Sequence, residues 1–247
     1  MRCAVILPAA GASTRFGPGP KKPFTALGGR PIWLRSAELF WNRADVAQVL
    51  LVISPNDREE FEDRFRPTML FANARVVSGG AERFESVANA LACLPDDAGY
   101  VAVHDAVRPL CTPTEIDAVF AAALQHGAAM LATPVVDTLK RVNPATQRIE
   151  ATVPREHLWA AATPQVFRRD WLTAAYAQRH TLAEPITDDA QLIEAIGHRV
   201  VVVAGQRTNL KITTREDLIM AEAILKHREA APDAPRRAFH PDDDAGW

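Results

Sequence analysis

Short apolar runs rich in Val, Ile and Leu alternate with segments of helical spacing along most of this chain, and nothing else constrains its fold as tightly. The runs fall at Cys3–Leu7, Val49–Ser54, Arg75–Val77, Tyr100–His104, Met130–Val135 and Arg199–Ala204. Unbroken apolar runs of this kind suit strands buried on both faces. Between them, Phe84, Val87, Ala88, Leu91 and Leu94 recur at helical spacing. Thr112-Pro113-Thr114-Glu115 has the spacing of a capping box with proline at the first helical position. Thr187-Asp188-Asp189 places two acids in a first turn, where the helix dipole favours them. Thr213-Thr214-Arg215-Glu216 opens a last long helix through about Lys226. Parallel strands need a crossover long enough to hold a helix. The alternation therefore predicts a three-layer α/β fold, a mostly parallel sheet with helices on both faces. With no repeat and no linker inside them, residues 1–226 read as one domain.

One stretch interrupts the pattern. From about Val136 to His157 the chain is polar and rich in turn residues, too long for an ordinary loop. Leu139–Val142 and Arg148–Val153 are expected to pair as a hairpin across Asn143–Gln147. A hairpin alone is marginal in water, so this arm, about residues 136–157, is expected to lean on another subunit. Residues 227–247 are expected to form a mobile tail, because Ala230–Trp247 holds three prolines and Asp242-Asp243-Asp244 without apolar periodicity.

Charge narrows the function. The 247 residues carry 28 Lys+Arg against 30 Asp+Glu, a formal charge of −2, which argues against a general nucleic-acid binder. Cys3, Cys93 and Cys111 are too scattered for a disulfide framework or a zinc cluster. No apolar run reaches the ~18 residues of a membrane span, and the apolar opening stops at Pro8, too short for a leader core. A soluble, cytoplasmic protein of a reducing compartment is expected, with neither membrane nor nucleic acid as partner. Yet Met1–Ala37 contains six basic residues (Arg2, Arg15, Lys21, Lys22, Arg30, Arg35) and no acid. A local basic segment in a near-neutral chain points to a small anionic ligand.

The strongest local signal lies in that segment. Pro8-Ala9-Ala10-Gly11-Ala12-Ser13-Thr14-Arg15-Phe16-Gly17 follows the first strand, then Lys21-Lys22-Pro23. Small residues past a strand's carboxyl end let backbone N–H groups approach a phosphate or a base edge. The spacing is neither a Walker loop nor a dinucleotide fingerprint. Arg15 and Lys22, seven apart, can grip a triphosphate from two sides. Asp105 ends a buried apolar strand, where an acid pairs, caps a turn or helps to hold a metal. His104 beside it reads as structural. Gly79-Gly80 and Ser86 either face a pyrimidine or form a plain strand-to-helix turn. Lys140, Arg155 and Lys211, far apart in sequence, each read alone as solvated charges.

Pro8-Ala9-Ala10-Gly11 with Arg15 and Lys22 resembles the signature loop of the cytidylyltransferases that act on 2-C-methyl-D-erythritol 4-phosphate in the non-mevalonate isoprenoid route. The likeness continues in order through Gly79-Gly80-Ala81-Glu82-Arg83 with Ser86, His104-Asp105-Ala106-Val107-Arg108-Pro109 and Pro134-Val135-Val136-Asp137-Thr138-Leu139-Lys140. It goes on through Thr163-Pro164-Gln165, Thr187-Asp188-Asp189-Ala190 and Asn209-Leu210-Lys211-Ile212-Thr213, covering about residues 3–226. Three positions depart from the family pattern. Lys21 stands where proline commonly precedes the catalytic lysine, so spacing selects Lys22. Ala81 stands where some members carry an acid near the cytosine, and Val107 replaces an alanine.

The resemblance implies a Rossmann-like nucleotidyltransferase fold with a protruding β-arm. It also implies a reaction of CTP with the methylerythritol phosphate that gives a CDP-linked polyol and pyrophosphate. Arg15 and Lys22 would stabilise the transition state and the departing pyrophosphate, while Arg155 and Lys211 position the polyol phosphate. Pro8, Ala9, Ala10, Gly11, Gly79, Gly80, Ser86, Asp105 and Arg108 would bind CTP and its phosphates, with Mg²⁺ near Asp105. Thr138, Lys140 and Thr163 would bind the methylerythritol phosphate, the Thr138–Lys140 arm reaching into the neighbour's site of a homodimer. A phosphate monoester, with its second pKa near ~6, is already ionised at neutral pH, so no general base is needed. Two alternatives remain open: a cytidylyltransferase for another polyol phosphate such as ribitol 5-phosphate, and a noncatalytic nucleotide-binding module.

Overall fold

A computed structural model describes residues 1–11, 13–17, 20–70, 72–181 and 185–230; most of the expected tail, 231–247, lies outside the described residues. The first half of the chain forms β1 (Cys3–Pro8), β2 (Ala26–Leu27), β3 (Arg30–Pro31), α1 (Ile32–Glu38), β4 (Val46–Ile53), α2 (Arg58–Leu70), β5 (Ala74–Ser78), α3 (Arg83–Leu91), β6 (Tyr100–Val103) and α4 (Pro113–His126). The second half forms β7 (Ala128–Pro134), β8 (Leu139–Val142), β9 (Ile149–Val153), β10 (Trp159–Arg168), α5 (Arg169–Gln178), α6 (Asp189–Ala195), β11 (Val201–Ala204) and α7 (Arg215–Ala230).

Seven strands make one sheet in the order β11-β7-β10-β6-β1-β4-β5. Every neighbouring pair is parallel except those of β10, which runs antiparallel to both β6 and β7. Alternation along β1 divides the molecule into layers. Cys3, Val5 and Leu7 point into a core shared with Trp33 of α1, Phe61 and Phe65 of α2, and Ile116, Val119 and Phe120 of α4. Ala4 and Ile6 point the other way, toward Val87 of α3, Leu172 and Tyr176 of α5, and Leu192 and Ile193 of α6. All five of these β1 side chains are fully buried, each large one stabilising the fold by about 1.5–3 kcal/mol. A smaller third core sets Phe16, Leu27 and Ile32 against Ile212 and Ala221, docking α7 beside the loop that follows β1.

Local chemistry explains several element ends. The capping box forms as its spacing predicts: Glu115 N–H donates to Thr112 Oγ1 at 3.3 Å, and Thr112 N–H to Glu115 Oε2 at 2.8 Å. Asp217 caps α7, accepting from Thr213 N–H and Thr214 N–H at 2.7 and 2.8 Å. At α6 the two acids divide their work. Asp188 is the N-cap, accepting from Gln191 N–H at 3.0 Å. Asp189, fully buried, pairs instead with Arg83 of α3 and accepts from the Tyr176 hydroxyl.

One strand carries no mark among the apolar runs, and two expectations need correction. Residues 227–230, expected in the tail, complete α7, where the Arg228 guanidinium donates to Leu110 O at 2.7 Å. β10 sits near the middle of the sheet, yet Trp159-Ala160-Ala161-Ala162-Thr163-Pro164 carries neither β-branched enrichment nor alternation. Proline lacks a ladder donor, and the register shifts between Ala161 and Gln165 to accommodate it. The runs Arg75–Val77 and Arg199–Ala204 form edge strands rather than strands buried on both faces: β5 pairs only with β4 and β11 only with β7, and Arg75 and Val202 are exposed. The interrupting segment does form the hairpin β8–β9, a separate two-stranded sheet. Asn143 Oδ1 closes its turn by accepting from Ala145 N–H and Thr146 N–H, each at 3.0 Å. Val142, Ile149, Leu158 and Trp159 in and beside it are exposed.

Candidate active site

β1, β4, β5 and β6 run parallel, so the loops that leave them emerge at one carboxyl edge. The first residues of these loops continue the ladder. Ala9 N–H donates to Val52 O and Gly79 N–H to Ile53 O, both at 2.7 Å, and His104 N–H to Ile6 O at 2.9 Å. A cleft of about 310 Å³ opens there, lined by the loop after β1 (Pro8 to Gly11, Ser13 to Arg15, Lys22), the loop into α3 (Gly80 to Arg83, Ser86), Asp105, Val107, Lys211 and Thr213.

The glycine pair lets two loops close on each other beside the cleft. A Cβ on Gly79 would lie 2.6 Å from Ala10 Cβ and 3.0 Å from Ser86 Oγ, so the two loops approach closely only because that atom is missing. Gly80 N–H donates to Ser86 Oγ at 3.1 Å, fixing the hydroxyl there.

The cleft is also cationic. Arg15, Lys22, Arg83 and Lys211 all line it. Burial, then the charges of Lys211 and Arg15, lower the pKa of Lys22 below the ordinary lysine value. Ser13, in the left-handed region at φ 58°, turns its Oγ to accept from Lys22 N–H at 3.1 Å. Asp105, nearly buried, ties the cations together: its Oδ2 lies 3.0 Å from Lys211 Nζ and 3.1 Å from Arg108 Nε. Burial alone would raise this carboxyl, but Lys211, Arg83 and Arg108 outweigh it and hold the group well below the usual carboxylate range. Thr163 Oγ1 accepts from Asp105 N–H at 3.0 Å and lies 3.2 Å from His104 Nδ1. Arg108 also reaches Asn209 O at 2.7 Å, and Ile212 N–H donates to Val107 O at 2.9 Å, which brings Lys211 against Asp105.

Of the residues singled out from sequence, Pro8, Ala9, Ala10, Gly11, Arg15, Lys22, Gly80, Ser86, Asp105 and Lys211 share this cleft, with Gly79 packed directly behind it. Arg108 and Thr163 lie behind Asp105 as its supports. Thr138, Lys140 and Arg155 are exposed on the arm and do not line the cleft of their own chain; Lys140 Nζ donates to Thr152 Oγ1 at 2.7 Å. Lys21 turns away from the cleft toward Asp57. His104 is fully buried between Thr163 and Arg108 O, its pKa pushed down to about 4 mainly by that burial, and so is neutral and structural. Ser13 carries no sequence signal of its own, and Arg83 stands out in the sequence only as the end of its motif.

The donor set suits one kind of metal. Among the described residues no group of three or more His, Cys, Asp or Glu side chains could hold an ion. Asp105 and Glu82 are the carboxylates on the cleft wall. Mg²⁺ that travels with phosphates needs only one or two carboxylates from the protein, and Asp105 fits that part.

Comparison with known proteins finds likenesses along nearly the whole chain. A family model described as IspD, 2-C-methyl-D-erythritol 4-phosphate cytidylyltransferase, matches residues 3–227. A protein of that name from Rhodopirellula baltica is 42% identical over 241 residues, covering 91% of this chain and 97% of its own. The crystal structure of the Thermus thermophilus protein of the same name is similar at a TM-score of 0.74 and 32% identity, over 92% of this chain and 100% of that one. The 4-diphosphocytidyl-2C-methyl-D-erythritol synthase of Anaerococcus prevotii is similar at a TM-score of 0.78 and 28% identity, over 91% and 96% of the two chains.

Proposed function

The chain belongs to the 2-C-methyl-D-erythritol 4-phosphate cytidylyltransferase family, and from that premise we propose how its residues carry out the transfer. The enzyme moves the cytidylyl group of CTP onto 2-C-methyl-D-erythritol 4-phosphate and releases pyrophosphate, a step toward isoprenoid precursors. An oxygen of the polyol phosphate attacks the α-phosphorus. The new P–O bond forms as the bond to the β-phosphate oxygen breaks, and pyrophosphate carries away the charge. No proton needs to be removed from a phosphate that is already ionised at neutral pH. Repulsion between two polyanions is the obstacle. At ~4 Å and an effective dielectric near 20 each unit-charge pair contributes about 4 kcal/mol, so the site's work is charge neutralisation and alignment.

The observation that carries this reading is the convergence of Arg15, Lys22 and Lys211 on one cleft beside a slot that only glycine at position 79 leaves open. In our reading the slot takes the cytosine, Arg15 and Lys22 take the triphosphate and the developing charge, and Lys211 faces the attacking phosphate. Asp105 holds Lys211 in place and would carry Mg²⁺, which when bound adds positive charge to the phosphate oxygens.

Thr138, Lys140 and Arg155 meet the polyol phosphate in this reading, while Thr163, expected to bind it directly, is buried and acts on the site by supporting Asp105. Thr138, Lys140 and Arg155 lie on an exposed hairpin that bears Val142 and Ile149 in the open. This supports a homodimer in which each arm serves the partner's site. Residues 1–226 are read as one catalytic domain. Free Cys3, Cys93 and Cys111 suit the reducing cytoplasm, and no helix of the described residues is long and apolar enough to cross a membrane.

Pyrophosphate release from CTP with a panel of acceptors tests the assignment. Turnover with 2-C-methyl-D-erythritol 4-phosphate well above that with ribitol 5-phosphate is expected. The reverse order would reassign the substrate, and no release with either would leave a nucleotide-binding module.

A further inference from the structure

Outside the cleft, a charge pair clamps the turn that carries Lys22 to α2. Lys21 Nζ lies 2.8 and 2.7 Å from the two carboxylate oxygens of Asp57. The Asp57 side chain is only 15% exposed and that of Lys21 35%. Asp57 closes a short 3-10 turn, Pro55–Asp57, that leads from the end of β4 into α2. Its N–H donates to Ser54 O at 2.9 Å, so its backbone is tied to the residue that follows β4. On the other side, Lys21 O accepts from Phe24 N–H at 2.9 Å, forming the turn Lys22–Phe24. The Phe24 ring packs 6.0 Å from Phe61 and 6.5 Å from Phe65 of α2. Successive side chains therefore part: Lys21 lies in a hollow with Phe24, Asp57 and Phe61, and Lys22 lines the cleft.

The clamp opposes a specific force. Lys22 shares its wall with Arg15 and Lys211, and these like charges favour its withdrawal toward water while no triphosphate is bound. Ser13 Oγ restrains one backbone N–H of the turn; the ion pair to Asp57 is its charged link to α2. Resting on the reading that Lys22 acts on the transition state, we propose that Asp57, working through Lys21, is a positioning residue that holds the Lys22 turn in its reactive place against repulsion by Arg15 and Lys211. Preorganisation of this kind acts on kcat, because CTP itself draws Lys22 inward once bound.

Steady-state kinetics on Asp57→Asn, Lys21→Met, the charge-reversed single variants Lys21→Asp and Asp57→Lys, and the double variant that combines these two test the clamp, with Lys22→Ala as reference. The two neutral variants are expected to lose roughly 3- to 10-fold in kcat, with KM for CTP changed less than about twofold and a melting temperature within about 2 °C of wild type. The double variant is expected to recover most of the kcat that either reversed single variant loses. Unchanged kcat in both neutral variants beside an impaired Lys22→Ala would overturn the clamp and leave the role of Lys22 standing. Losses that track falling melting temperature, or a double variant no better than its singles, would overturn it as well. Full activity in Lys22→Ala would remove the reading beneath the clamp, and the clamp with it.

Discussion

Replacing Lys22 with alanine should cost the enzyme its rate far more than its grip on CTP. Four cations line the cleft, but they are not equally available. Lys211 lies 3.0 Å from Asp105, and Arg83 lies 2.7 Å from the buried carboxylate of Asp189. Among the described residues, Arg15 and Lys22 have no carboxylate at salt-bridge distance, so their charge is free for substrate. A unit-charge pair at ~4 Å contributes about 4 kcal/mol at an effective dielectric near 20, part of it already present when CTP binds. Loss of a preorganised group aimed at developing charge costs about 2.7–4 kcal/mol in the transition state, or ~10²–10³ in kcat. Lys22→Ala should therefore lower kcat by ~10² or more while KM for CTP moves less, and Lys21→Ala should stay mild, within about 10-fold. A pyrophosphate-release assay across CTP concentrations separates the two constants. The pH profile adds a sign. Burial and the charges of Lys211 and Arg15 lower the Lys22 pKa, so in the free enzyme its charge is lost below the ordinary lysine range. Wild-type kcat/KM should fall on that alkaline limb, and Lys22→Arg should move the limb to higher pH. A kcat within about threefold of wild type in Lys22→Ala, or a larger loss in Lys21→Ala, would refute the reasoning.

Gly79→Ala should raise KM for CTP about tenfold, since its Cβ must displace Ala10 or Ser86, which it would meet at 2.6 and 3.0 Å; unchanged CTP kinetics would contradict a slot at that place. Asp189→Asn removes the charge opposite Arg83 from a fully buried site. Because Arg83 is one-third exposed and can solvate, the loss should be about 2–3 kcal/mol rather than the ~3–5 of a fully buried pair, and the melting temperature should fall by about 4–12 °C; a fall below about 1 °C would count against it. Inactive Lys22→Ala and Lys140→Ala chains, mixed into heterodimers, should regain up to about half of wild-type activity, because one of the two sites then holds both intact parts; heterodimers no more active than their parents would show that each chain builds its site alone.

How much of this was legible depended on how local each signal is. β1, β4, β6 and β7 announce themselves because burial on both faces demands unbroken apolar runs. β10 does not, because its alanines and Pro164 are tolerated by neighbours already in place, and nothing in a local window records those neighbours. The Thr112–Glu115 capping box and the β8–β9 hairpin are legible because the groups that satisfy them lie within a few residues. Asp189 looks the same in sequence as an acid serving a helix dipole, while its partner Arg83 is 106 residues away. In the site, Arg15 and Lys22 stand out by the absence of any acid before Glu38, and Asp105 by ending a buried strand. Ser13 acts through one hydrogen bond set by a left-handed backbone, which composition does not mark. Lys21 and Lys22 are chemically identical neighbours; only the fold sends one to Asp57 and the other to the cleft.

At the centre stands a single displacement, in which the acceptor's own phosphate attacks and protein cations supply the stabilisation. The buried thiols and imidazole are ill placed to divide the reaction in two: burial pushes the thiols of Cys3 and Cys111 up, and His104 is buried and neutral. Lys22, Ser13 and Ser86, by contrast, line the cleft, so the course of the reaction has to be read from its stereochemistry. The stereochemical course at the α-phosphorus tests this directly, with a CTP analogue made chiral there by one sulfur and the product's configuration read by phosphorus NMR. Single displacement predicts inversion. Net retention would require a covalent cytidylyl-enzyme intermediate and would contradict the mechanism.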